Sequence, residues 1–288
     1  MTGVVLTQAI LSGLLWGAIF ALIALGLTMI FGVMDIVNFA HGDFLMVAMY
    51  VAYTANAYLR MDPLLAIPLV AGLMYLLGIV VYRYIIKRVL EAPSVAQITV
   101  TFGLGIAFRA LAHFVFSADY RQVQHPWVEG RVQFAGIVLG APELVAAVGA
   151  LLMTALLYWF ITKTETGWAL QAVAQNKQAA ALMGINVDRF FGVAWGLGLG
   201  ALGVAGALLA NFYYIHPDVG AIFGGIAFVT VALGGFGSIQ GALVAGLIIG
   251  LVESLAGVFI SPQLKYAFVF SIYLLVVFIR PKGLMGTT

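Results

Sequence analysis

Cysteine is missing from this chain, and charge is scarce. The first absence excludes a disulfide framework, a thiolate metal site and a cysteine nucleophile. The second sets the solvent: 8% of the 288 residues are Asp, Glu, Lys or Arg, against about 25% in a soluble domain. The net charge of +2 gives no handle for nucleic acid. The amino end, "MTGVVLTQAILSGLLWGAIFALIALGL", also lacks a basic leader region, and its apolar run is too long for a signal-peptide core. It reads as a retained spanning helix. What the chain does have is apolar surface: 64% hydrophobic residues and a mean hydropathy of +1.10. A soluble core of this size cannot enclose so much, so the natural solvent is lipid.

A spanning helix needs roughly 20 apolar residues. Spans are expected over about 5–30, 41–59, 64–83, 94–117, 138–161, 189–212, 239–260 and 264–280, with a short, Gly-rich ninth segment over about 220–235. The fold class is therefore an all-α, polytopic membrane helix bundle of about eight to nine segments, read as a single domain over 1–288. The polar intervals are 83–93, 118–136, 162–188 and the tail from Arg280. Arg83, Lys87, Arg88, Lys163, Lys177, Arg189, Arg280 and Lys282 make eight of the 13 basic residues. All eight fall on one face, which the positive-inside rule assigns to the cytoplasm. The interval 118–136, the turns at Asp62-Pro63, Pro217-Asp218 and Ser261-Pro262, and the amino terminus then lie outside.

Two stretches share a texture, "FGVMDIVNFAHGDFLMVAMYVA" from Phe31 and "GGFGSIQGALVAGLIIGLVES" from Gly234. Aligned at Gly42 and Gly241, each is a polar, Gly-containing break that opens into an apolar helix, with His41 opposite Gln240 and Asn38 opposite Gly237. Broken helices are thus expected near 31–42 and 220–241. Paired breaks in two halves of a membrane chain point to a transport path. The path candidates are Asn38, His41, Gly42, Gly237, Ser238, Gln240 and Gly241. Polar groups at membrane depth face the bundle interior or water, so Asn38 and His41 either satisfy backbone freed by the break or touch a solute. The former is the preferred role. Gly192, Gly196 and Gly200, and Gly246 and Gly250, recur every fourth residue and offer flat stripes for close helix packing.

Other charges in apolar surroundings invite simpler readings. Arg109 and His113 lie four apart on one helical face and are expected to snorkel to the outer interface. Glu253, near the end of its span, is expected to hydrogen-bond within the bundle or to face a cavity. Enzyme motifs are wanting. Gly198-Leu-Gly200-Ala-Leu-Gly203 fits a dinucleotide fingerprint in spelling, yet it lies inside an apolar helix rather than after a strand. Ser238 lacks the preceding glycine of a nucleophile elbow, because Phe236 is there. The four histidines show no metal-ligand spacing.

The interval 162–188, "TKTETGWALQAVAQNKQAAALMGINVD", sets Ala169, Ala172, Val173, Ala180 and Met183 among Gln171, Gln175, Asn176, Lys177 and Gln178. It reads as a short amphipathic helix closed by Gly184. With few cations to draw it to lipid, it suits the groove of a protein partner.

Four blocks in order, "GLTMIFGVMDIVNFAHGDFLM", "NKQAAALMGINVDR", "ALGGFGSIQGALVAGLIIGLVE" and "RPKGLMG", resemble the permease subunits of branched-chain amino-acid ABC importers of the LivH type. The resemblance covers essentially the whole chain, and Asn38 to Gly42 match the family's N-[FL]-A-H-G block. It implies a permease of the bacterial plasma (inner) membrane, paired with a second related permease to form the pore. It also implies two cytoplasmic ATPase subunits, which would bind ATP and magnesium so that this chain carries no cofactor, and a soluble periplasmic or extracellular binding protein. The family's coupling segment matches Glu165 to Arg189, and the cytoplasmic coupling segment is read as 163–188. Its candidates are Glu165, Asn176, Lys177, Ala180, Met183, Gly184 and Ile185. The implied solutes are leucine, isoleucine and valine, with urea, amides and other small carboxylates as alternatives. A stand-alone secondary carrier or channel remains the competing class on the residues alone, and an intramembrane enzyme a distant third.

Overall fold

The computed structural model describes residues 2–286. Eleven helices carry nearly all of the ordered chain: α1 Thr2–Met34, α2 His41–Leu59, α3 Pro63–Tyr84, α4 Ser94–Phe116, α5 Ala141–Lys163, α6 Glu165–Gln175, α7 Lys177–Leu182, α8 Val187–Ala210, α9 Val219–Gly234, α10 Ile239–Phe259 and α11 Lys265–Ile279. Among the described residues, six of them (α1, α3, α4, α5, α8 and α10) are long and apolar enough to cross a membrane, while α9 and α11 are shorter apolar helices. α2 occupies the remaining expected span, carrying Asp43, Thr54 and Asn56 among its apolar residues. The all-α expectation holds apart from one β-hairpin at 131–140, in which Arg131 pairs with Gly140 and Phe134 with Ile137. Its two-residue turn, Ala135-Gly136, has positive φ at both positions, the geometry that matches the twist of paired strands. The span expected from 138 therefore begins as strand and turns helical at Ala141.

Local sequence sets the helix boundaries. Asp62 accepts a hydrogen bond from the Leu64 amide (2.8 Å) and Pro63 fills the first position of α3, the pairing that favours a helix start. Asn186 caps α8 in the same way, by accepting from the Arg189 amide at 3.0 Å.

Packing follows the glycines. Along the α1–α10 seam, a Cβ on Gly17 would meet the Gly246 carbonyl at 2.8 Å, and one on Gly13 the Gly250 carbonyl at 2.8 Å. Gly78 of α3 similarly sits 2.6 Å from the Trp195 carbonyl of α8, measured from the Cβ it lacks. Between apolar helices in lipid, association rests on such contact rather than on a hydrophobic driving force. α1 and α8 are the most enclosed helices of the six, whereas α4 keeps most of its surface outward.

The two ends of the bundle differ in charge. Lys87 pairs with Asp188 (2.7 Å) and Lys177 with Asp35 (2.9 Å), and the Lys282 carbonyl lies against Gly235, so the basic intervals gather at one end. The far end holds the start of α1, the hairpin (a Cβ on Gly136 would lie 3.7 Å from Val4 Cγ1) and the turns. There the Trp127 amide donates to Asp62 (2.7 Å), and Arg121 and Ile215 exchange backbone hydrogen bonds at 2.8 Å.

Candidate functional site

The first break, residues 35–40, separates α1 from α2. Asn38 Oδ1 accepts from the Ala40 amide at 3.1 Å, and the Asn38 carbonyl accepts from the His41 amide at 3.2 Å. This is the local turn an Asx side chain supports. His41 Nε2 donates to the Ile23 carbonyl of α1 at 2.9 Å. Ile23 lies about eleven residues before the end of α1, or about 16 Å along its axis, so α2 starts well inside the bundle. Gly42 passes Gly220 of α9 with no room for a Cβ on either residue. Asn38 and His41 are fully buried, and each keeps one nitrogen without a hydrogen-bond partner among the described residues. Their contacts are those of a locked break.

The second break, 235–238, has the opposite character. Gly235 and Gly237 take φ of 101° and 81°, values that glycine adopts without a Cβ penalty. Ser238 caps α10 by accepting from the Gly241 amide at 3.0 Å, and Gln240 Nε2 donates to Tyr158 Oη at 3.1 Å. An open cleft of about 730 Å³ runs along this break, lined also by Phe31, Gly32 and Asp35, by Tyr158 of α5 and by Gln171, Ala174 and Gln175 of α6. The two break regions meet at one edge, where Gly32 packs on Gly237 and Phe31 on Phe236 (ring centroids 4.3 Å), and Asp35 of the first break lines the same cleft. Asn38, His41 and Gly42 lie in the packed interior; Gly237, Ser238 and Gln240 line the cleft at the basic end, and Gly241 is buried beneath them against Gly234.

The cleft is where the second break meets the coupling segment. That segment is two helices rather than one, because Asn176 ends α6 and caps α7, its side chain accepting from the Ala179 amide at 2.9 Å. Gly184, at φ 84°, closes α7 as expected: its own amide donates to the Ala181 carbonyl (3.0 Å) and the Ile185 amide to Ala180 (3.1 Å), a Schellman motif. Ala180 faces inward, and Glu165 is exposed at the start of α6. Lys177 reaches the Met34 carbonyl (3.1 Å) and Asp35, joining α7 to the end of α1. Leu182 and Met183 stand out at 89% and 82% exposed. Leu182 has the larger fractional exposure and was not among the sequence candidates; it is simply an apolar residue that the inward turn of Ala180 leaves outside.

A further cluster was missed. Instead of snorkelling, Arg109 places Nε and Nη2 3.1 and 3.0 Å from Asp43 Oδ1, with Asp218 3.8 Å away and His113 3.4 Å from Asp218. Gly105 leaves the space Asp43 occupies. A cation and a carboxylate on neighbouring apolar helices gain more from each other than from reaching separately for the surface. The signal was present: one acid inside α2, one base inside α4.

The chain matches the family described as branched-chain amino acid transport system / permease component over residues 9–279. It is 32% identical to the high-affinity branched-chain amino acid transport system permease protein LivH of Escherichia coli K12, over 97% of this chain and 95% of that one. Identity is 30% to the corresponding permease protein BraD of Pseudomonas aeruginosa (97% and 95% covered) and 30% to a probable LivH of Methanocaldococcus jannaschii (97% and 92% covered). A solved structure, PsaBC from Streptococcus pneumoniae in complex with Fab, shares the fold at a TM-score of 0.50 and 16% identity, covering 94% of this chain and 91% of that one.

Proposed function

Because this chain belongs to the branched-chain amino acid transport permease family, we propose that it forms half of the pore of an ABC importer for leucine, isoleucine and valine in the bacterial inner membrane. The family match across 9–279 carries the reading. A second, related permease completes the pore, two cytoplasmic ATPases bind ATP and magnesium, and a soluble protein delivers the amino acid at the far end. The basic end faces the cytoplasm, as the clustering of lysine and arginine favours.

The supporting geometry concerns how force enters. α7 offers Leu182 and Met183 as an apolar knob at the basic end, suited to a groove on a partner. Displacement of α7 is passed in two directions. Lys177 ties it to Asp35 at the end of α1, and Asn176 passes it to α6, whose Gln171 and Gln175 wall the cleft beside Gly237 and Ser238. Two glycines at positive φ make that break a place where backbone angles can change.

The test is ATP hydrolysis in the assembled complex. Leu182→Glu and Met183→Glu touch exposed side chains, unlike the buried Ala180 or Gly184 at its positive φ, so insertion and thermal stability stay as in the wild type. Stimulation of hydrolysis by the loaded binding protein is expected to disappear. Full stimulation in both variants would overturn the reading.

A further inference from the structure

Where α3 meets α8 at the basic end, the two helices leave an open cleft of about 430 Å³, within the range of small-molecule sites. Its mouth is cationic: Arg83, Lys87 and Arg189 line it together with one acid, Asp188. That acid is already satisfied, because Tyr82 Oη donates to Oδ1 and Lys87 Nζ to Oδ2, each at 2.7 Å. Arg83 and Arg189 are exposed, and their guanidinium groups have no hydrogen-bond or ion-pair partner among the described residues.

Deeper in, the cleft turns apolar. α3 runs toward the basic end and α8 away from it, so the residues on the membrane side are Ile79 and Tyr75, four and eight positions before Arg83, and Val193, four after Arg189. Eight helical residues extend about 12 Å. Gly192 shapes the floor: a Cβ there would lie 3.2 Å from the Tyr82 ring, and its absence lets Tyr82 lie against α8 and reach Asp188. One position further round α3, Leu76 and Val80 are exposed, so the groove borders a surface suited to hydrocarbon. A lone arginine at a helix end snorkels to any headgroup. Here two of them share one cleft that continues as an apolar groove.

We propose that this cleft holds one anionic phospholipid of the leaflet at the basic end. Its phosphodiester accepts from Arg83 and Arg189, whose planar forks match phosphate oxygens, and one acyl chain runs along Ile79, Tyr75 and Val193. Basic pockets between spanning helices take such headgroups. Three cations stand against one carboxylate, so a choline or ethanolamine head would set its ammonium among like charges. A head without an ammonium, as in phosphatidylglycerol, meets no such penalty. The lipid braces the end of α3 against the start of α8. The inference needs only that these helices cross a membrane and stands apart from the transport reading.

The experiment is native mass spectrometry of the purified full chain in detergent, titrated with phosphatidylglycerol or with phosphatidylcholine of the same acyl chains. Retention of one phosphatidylglycerol is expected, and phosphatidylcholine should be lost at the same activation energy. Arg83→Gln with Arg189→Gln should weaken retention about tenfold or more, the effect of removing two cations from one phosphate. Both side chains are exposed, so the double variant keeps its fold, which its melting without added lipid checks. Added phosphatidylglycerol should raise the melting temperature of the wild type more than that of the double variant. Arg88→Gln removes a neighbouring cation that does not line the cleft and should leave retention unchanged. Excess glycerol 3-phosphate, which has the headgroup chemistry without a chain, should not displace the lipid. Equal retention of the two lipids, wild-type retention in the double variant, an equal loss in Arg88→Gln, or displacement by glycerol 3-phosphate would overturn the site.

Discussion

Two helix breaks of similar spelling end in opposite surroundings. The break at 35–40 is held from inside: Asn38 turns the chain, His41 bonds to α1, and both are fully buried, while Asp35 and Phe39 remain exposed. The break at 235–238 lies open on a cleft, with Phe236 partly exposed and two glycines at positive φ. Polar residues and glycine therefore do two jobs in an apolar chain. Where the polar side chains satisfy the freed backbone inside the protein, the break becomes a fixed strut. At the second break the Leu233 and Gly234 carbonyls accept from the Leu284 and Met285 amides of the tail, while Phe236 and Gly237 stay exposed on the cleft. In this chain the second kind adjoins the helices α6 and α7 that are proposed to receive force.

The contrast breaks most directly at its glycines. Gly42→Val sets a side chain into the Gly220 carbonyl, backbone against backbone, and should cost about 3 kcal/mol or prevent insertion. Gly237→Ala at φ 81° should cost about 1 kcal/mol, the strain of a left-handed non-glycine residue. Melting of the purified chain in detergent measures both. Equal losses would erase the distinction between strut and open break.

Next in size is Asn38→Ala. It removes the acceptor for the Ala40 amide in a site where no water competes, and should cost about 1–3 kcal/mol. His41→Ala leaves the Ile23 carbonyl to the helix alone and should fall in the same range. At the open break, Ser238→Ala loses one capping bond to the Gly241 amide and should cost about 1 kcal/mol, since water near the cleft can replace part of it. A larger loss at Ser238 than at Asn38 would invert the comparison.

How much of this could be read beforehand varies with the range of the interaction. Composition placed the long apolar helices, because length and hydropathy are local properties. Both breaks were legible from glycine and polar residues, as was the Gly184 cap, whose hydrogen bonds join residues three and five apart. The depth at which α2 begins was not legible: an apolar run from 41 to 59 looks like a full crossing, and only the His41 bond to Ile23 places its start inside the bundle. The Asp43–Arg109 pair joins residues 66 apart, and the Glu253–Lys265 pair depends on how α10 turns into α11. Sequence says what each group needs; packing decides which partner supplies it. The spelling the two breaks share carries no record of what surrounds each of them.

The smallest expected effect on stability is the sharpest probe of the comparison. Gln240 donates to Tyr158 across the rim of the cleft, from the first turn of α10 to α5, and both groups are reachable by water. Gln240→Ala should change stability by no more than about 0.5 kcal/mol, as expected of an exposed hydrogen bond. Its effect on coupling should be larger than that figure suggests. α5 leads directly into α6, so the Gln240–Tyr158 bond joins the break to the helix proposed to carry force. Basal ATP hydrolysis in the assembled complex should be unchanged, while stimulation by the loaded binding protein should fall. The Asn38→Ala variant, kept cold enough to stay folded, should show full stimulation. Were the buried break to control stimulation and the open one not, the moving part of this permease would be the strut, and the assignment of the two breaks would have to be exchanged.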